Sequence, residues 1–104
     1  MDDGIVYVGS QRALAFDFAG DKFDEMSYLW IREGYVYISF VETIHKGQGH
    51  FSELIRNILG AGYGVKVPTP IPNMLRIVKK KGFKQTFEED ENFDEECEVW
   101  VLEK

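Results

Sequence analysis

The chain has 104 residues, 44% of them hydrophobic and 14% aromatic, with a formal net charge of -6. That length supports one domain, residues 1–104, around a modest core. The acidic balance argues against nucleic acid as a partner. Cys97 stands alone, which excludes an intrachain disulfide and a cysteine-based zinc site and fits a reducing, cytoplasmic setting. No window approaches the ~18 to 20 apolar residues of a membrane span, and the start MDDGIVYVG is acidic where a signal peptide would be basic.

Taken in order, Ile5–Val8 and Ala13–Phe18 are rich in branched and aromatic residues, and Leu14, Phe16 and Phe18 alternate, so both segments are expected to be strands. A polar connection, Ala19–Ser27, follows. Tyr28–Ile31 and Tyr35–Val41 then read as two strands around a tight turn at Glu33-Gly34. The second of these is apolar on both faces, as suits a strand in the middle of a covered sheet.

From Phe51 the period changes to about 3.6 residues, since Phe51, Leu54, Ile55, Ile58 and Leu59 form one helical stripe that Gly60 and Gly62 end. A short strand, Val65–Val67, leads to PTPIPN, whose prolines suit a helix entry. Ile71, Met74, Leu75 and Val78 make the second stripe, with Lys79, Lys80 and Lys81 at the negative end of the helix dipole. Two strands, Phe83–Glu89 and Glu98–Leu102, close the chain around an acidic loop. The strand-helix-strand unit from Tyr35 to Val67 requires a parallel pair inside an otherwise antiparallel sheet. The fold expected is therefore α+β, a mixed and mostly antiparallel sheet with a central parallel pair and two main helices.

Between that pair lies VETIHKGQGHF. Glycines at the mouth of a helix let an anion approach the free amides and the positive pole of the dipole. The stretch is not a Walker loop, having no Gly-Lys-Ser/Thr at the right spacing. Nor is it the dinucleotide fingerprint, because Ser52 occupies the third glycine position.

It resembles instead motif A of the GNAT family of N-acetyltransferases. Val41 matches the valine of that motif, Thr43 its proline place, Lys46 its Arg/Gln place and Gly49 its first glycine, with Gly47 as the additional glycine of some versions. The helix ending in KKKGF, Lys79 to Phe83, and the closing hairpin are similar to the family's order of elements. Together these cover roughly Tyr28 to Leu102, a short form of the fold of the kind associated with phage genomes.

The resemblance implies acetyl-CoA as substrate and transfer of its acetyl group to a primary amine on a small molecule or peptide. It implies that the fourth strand, including Phe40 and Val41, pairs with the pantetheine arm. The loop of Lys46, Gly47, Gln48, Gly49, His50 and Phe51 would hold the pyrophosphate. Glu42 is the candidate base; a capping or solvated carboxylate is its alternative reading. His45 and His50 also have a plain reading as solvent-facing loop residues. The position of the family's tyrosine acid is filled by Val78, and that of its frequent asparagine by Ile71, with Asn73 as a partial substitute. Phe51 stands where a small residue is usual and could narrow the seat. An alternative reading is therefore a catalytically inactive module of the same fold that binds CoA or another protein.

No metal is expected. Asp90, Asn92 and Asp94 have the first spacings of a calcium loop, but Glu95 replaces its glycine and Val101 its bidentate glutamate. The pair of helices that normally follows the first strand is missing. Leu14, Phe16, Leu29 and Ile31 are thus expected to lack a lid, which would favour a homodimer at that face.

Overall fold

The computed structural model describes residues 3–45, 47–90 and 95–104, except for the side chains at 90 and 95. Six strands form one sheet: β1 (Gly4–Tyr7), β2 (Tyr28–Arg32), β3 (Tyr35–Phe40), β4 (Gly64–Pro68), β5 (Lys84–Asp90) and β6 (Glu95–Leu102). Their order is β1-β2-β3-β4-β6-β5, and every neighbouring pair is antiparallel except β3 with β4. The helices are α1 (His50–Gly60) and α2 (Pro72–Lys80). The mixed architecture is thus the one expected from the change of period along the chain. No helix among the described residues is long and apolar enough to cross a membrane.

Both helices and the segment before β2 serve one core. Leu54, Ile55 and Ile58 of α1 and Val78 of α2 join Val6, Leu29, Ile31, Val36, Ile38, Val65 and Val67 from the sheet in one buried cluster. These strand residues alternate along β1 to β4, so they project from the same side of the sheet. The other side carries Ile5, Tyr7, Trp30, Tyr37 and Lys66, none of which belongs to that cluster.

Two expectations are overturned here. Ala13–Phe18 is not a strand; Arg12–Phe16 forms a 3-10 helix that ends at Asp17 in a left-handed conformation, φ 54°. Its start is a turn, since the amide of Ala13 reaches both the carbonyl and the hydroxyl of Ser10. In three-residue turns Ala13 and Phe16 fall on one side, and both are buried while Leu14 is 77% exposed. β3 is accordingly the third strand and not the fourth.

The second correction follows from the first. Phe16, Leu29 and Ile31 are fully buried, because the 3-10 helix itself covers them and is tied to α1. The Asn57 side-chain amide donates to the Phe16 carbonyl at 2.9 Å, and the Phe16 ring meets Tyr63 edge to face at 6.0 Å. The face named as lacking a lid has one, so the ground for placing a homodimer there is removed.

Candidate functional site

The site begins where the parallel pair stops. β3 and β4 are in register at Tyr35 and Gly64, Val36 and Val65, and Tyr37 and Lys66. Beyond Lys66, β4 continues beside β6 to Pro68, while β3 continues beside β2 to Phe40. Ile38 to Phe40 therefore present a main-chain edge to a gap that no strand fills. A cleft of about 670 Å³ occupies this gap.

Its wall on the β3 side is held rigidly. The Glu42 amide donates to the hydroxyl of Ser27 at 2.9 Å, and the Glu42 carbonyl accepts from Asp24 at 2.8 Å. Phe23 and Thr43 form an isolated bridge, and the Ile44 amide reaches the Lys22 carbonyl. The polar connection before β2 thus runs beside residues 42–44 like a further strand. Its anchors are Phe23, packed on Phe18 at 5.0 Å, and Lys22, which pairs with Asp17 and reaches Glu53 of α1 at 3.4 Å.

The entrance to α1 forms the floor. Gly49 caps the helix with φ 76° and ψ 12°, and no side chain bonds to its first amides. Gly47 also lies at positive φ, 81°. A Cβ built on either glycine would meet nothing within 4 Å, so the space over the loop is open. Glycine at these angles avoids the strain any other side chain would bring. The opposite wall is the β4 to α2 turn, Pro68 to Asn73, with Met74 and Ile77 behind it.

Of the residues singled out from sequence, Phe40, Val41, Glu42, Gly47, Gly49, His50, Phe51 and Asn73 line this one cleft, as does His45. Gln48 is exposed and does not line it. Lys46 lies outside the described residues, as do Asn92 and Asp94. Glu42 is exposed at the mouth, and its carboxylate has no partner among the described residues. Phe51 is only 7% exposed and belongs to the core cluster, so it seats α1 and leaves the cleft open. Nδ1 of His50 is buried without a hydrogen-bond partner among the described residues. Asn73 is engaged by Arg76, whose guanidinium donates to its Oδ1 at 3.3 Å. Val78 is fully buried, so the helix presents apolar core where a proton-donating tyrosine was sought.

Sequence reasoning passed over two groups. The first is Val67 to Ile71 as a wall of the cleft, for which the three closely spaced prolines were the available signal. The second is a polar network on the other side of the sheet, at the foot of the gap. There the Tyr37 hydroxyl donates to Glu88 Oε1 at 3.1 Å, and Lys66 Nζ donates to that hydroxyl at 3.3 Å. Lys66 lies 2.9 Å from Glu88 Oε2 and over the rings of Tyr35 and Tyr37. Burial raises the Tyr37 phenol above its ordinary range, although Lys66 opposes this. Burial pulls Lys66 down, but bonds to Glu88 and Tyr37 outweigh it and leave its pKa raised. No local pattern marks these three residues, which come from three strands.

No protein-family model and no curated protein matches the sequence. Among solved structures, the chain is similar to an Agrobacterium tumefaciens protein whose acetyltransferase assignment is provisional. The TM-score is 0.52 at 14% identity, and the match covers 99% of this chain and 75% of the other. At that identity the likeness establishes an acetyltransferase-like fold.

Proposed function

We propose that the cleft binds acetyl-CoA and that the protein transfers the acetyl group to a primary amine. The observation that carries this reading is the parting of β3 and β4 directly above a helix N-terminus with two left-handed glycines. A thioester on a flexible arm needs an extended slot, and a pyrophosphate needs free amides at a positive helix pole. The gap offers the first and the α1 entrance the second. The volume, about 670 Å³, lies in the range of about 300–1,000 Å³ usual for small-molecule sites. Phe40 and Val41 would flank the arm. The amides of Gly47, Gln48, Gly49 and His50, together with Lys46, would face the phosphates, and Asn73 would close the far wall.

In the transfer, the amine nitrogen attacks the thioester carbon, the carbon–nitrogen bond forms and the carbon–sulfur bond breaks. Glu42 takes the proton lost by the amine. A main-chain amide at the edge of the gap would stabilise the developing oxyanion. The thiolate leaves without help from residue 78 and takes its proton from water.

The burial of Val78 also favours a second reading, in which acetyl-CoA binds without turnover. One experiment orders the two. A ligand at ~100 times its dissociation constant stabilises a fold by ~2.7 kcal/mol, so millimolar acetyl-CoA should raise the melting temperature. An unchanged melting temperature refutes the acetyl-CoA assignment. A rise without release of free CoA on addition of polyamines, aminoglycosides or lysine peptides selects the binding-only reading. We place the protein in the cytoplasm, with no membrane or nucleic-acid partner.

A further inference from the structure

The side of the sheet turned away from the core carries aromatic rows that end at the cleft. Tyr7, Tyr28 and Phe40 are successive cross-strand partners on β1, β2 and β3, and the rings of Tyr28 and Phe40 stack at 6.2 Å and 21°. Ile5, Trp30 and Tyr37 make the next row, with the Trp30 and Tyr37 rings 5.2 Å apart. Tyr7 is 58% exposed, Phe40 48%, Ile5 47% and Trp30 37%. Neither described α-helix covers this side, because the buried residues of both join the core cluster on the opposite one. Phe40 is the junction: it ends the first row and also lines the cleft.

We propose that this aromatic face is the dock for the acceptor, and that the acceptor is a peptide segment with a lysine or terminal amine between apolar residues. The proposal rests on the acetyl-transfer reading and names its substrate class. Three strands at ~4.8 Å spacing make a track of ~10 Å leading to the cleft, longer than a small amine can use but suited to a peptide. Charge points the same way. Glu42 is the one carboxylate among the described cleft-lining residues. Around the rows, Glu33 is exposed, Glu103 holds the Tyr35 hydroxyl, the cation Lys66 is neutralised by Glu88, and the exposed Arg32 guanidinium lies over the Trp30 ring, 5.3 Å from its centroid. Arg32 pairs with Tyr35 at the end of β2 remote from Phe40, and Glu33, Glu42 and Glu103 outnumber it, so the rim as a whole attracts a cationic amine and repels a polyanion, and a second copy of this acidic chain would meet like charge with like.

The test uses Trp30 as reporter in a Trp100→Phe background, since the Trp100 Nε1 has no hydrogen-bond partner to lose among the described residues. Three probes are titrated: a peptide with one lysine between leucine and phenylalanine residues, its counterpart with aspartates in those places, and spermidine. The first should change Trp30 emission saturably and bind at least about tenfold tighter than either other probe. Tyr7→Ser should weaken that binding about tenfold while leaving the acetyl-CoA melting shift intact. Ile5→Ser, on the second row, should act likewise. Equal binding of the three probes, or indifference to both substitutions, overturns the proposal. So does a dimer in sedimentation that Tyr7→Ser dissolves, which would give the face to a second copy. Because Trp30 emission does not depend on turnover, failure of acetyl-CoA to bind refutes the transfer reading separately and leaves the peptide result decisive for this face.

Discussion

The hydroxyl of Ser27, fully buried, accepts the amide of Glu42 at 2.9 Å and thereby fixes the strand extension from which Glu42 reaches the cleft mouth. Ser27 belongs to no strand, and its hydroxyl also donates to the Glu42 carbonyl at 3.4 Å.

Ser27→Ala should therefore do two things. An unpaired amide in a buried place costs roughly 1–3 kcal/mol, so urea unfolding should show a loss in that range. Acetyl-CoA affinity and transfer should fall as well, because the segment at Glu42 loses one of its lateral anchors. Ser27→Thr, which keeps the hydroxyl, should recover part of both. A Ser27→Ala protein with unchanged midpoint and unchanged affinity would show that the bonds to Lys22 and Asp24 and the Phe23–Thr43 bridge suffice to hold this segment.

Gly49 supplies a backbone test without a steric one. At φ 76° with open space at the Cβ position, Gly49→Ala should cost about 1–2 kcal/mol through left-handed strain alone. In a domain near this size each kcal/mol lowers the melting temperature by ~4 to 8 °C. Gly49→Asn should be milder, since asparagine tolerates this conformation. Gly49→Glu should lose stability as the alanine does and should also abolish the acetyl-CoA melting shift, because its carboxylate would sit where phosphates are proposed to bind.

Val78→Tyr should not create a catalytic acid. The side chain is fully buried within the core cluster, and forcing extra atoms into such a site costs typically about 1–3 kcal/mol. Reduced stability with no gain in CoA release is the expected outcome. Faster release would mean that α2 can rotate residue 78 towards the cleft.

The Tyr37, Lys66 and Glu88 network predicts the alkaline limb of stability. The pKa values of Tyr37 and Lys66 are raised from ordinary values of 10.0 and 10.5. A raised folded-state pKa contributes stability that is complete below the unfolded value and is lost as pH climbs through the folded one. Melting temperatures should thus be insensitive to this network up to about pH 9 and fall above about pH 10. Tyr37→Phe should flatten part of that fall, and ultraviolet titration should show two phenols ionising above the ordinary range, Tyr37 through burial and Tyr35 through its bond to Glu103.

Several features were legible before any coordinates. The change from a two-residue to a 3.6-residue period located α1 between β3 and β4, and prolines and lysines marked the ends of α2. The two glycines before Phe51 marked a helix entrance. These are local properties, because backbone geometry sets which residues share a side and glycine alone relaxes the left-handed strain.

Other features depended on what each side meets. Leu14, Phe16 and Phe18 alternate like strand residues, yet the turn at Ser10 lets Ala13 and Phe16 close over Leu29 and Ile31 while Leu14 stays in solvent. Tyr35–Val41 reads as apolar on both sides, but one side enters the core and the other carries Tyr37 into a network with Lys66 and Glu88. Where β3 and β4 part, and that Phe40 joins an aromatic row to the cleft, follow from pairings between segments far apart in the chain. Periodicity records that a side is apolar, whereas the layer that covers it is chosen by long-range packing, and that choice made one side of this sheet a core and left the other without a helix among the described residues.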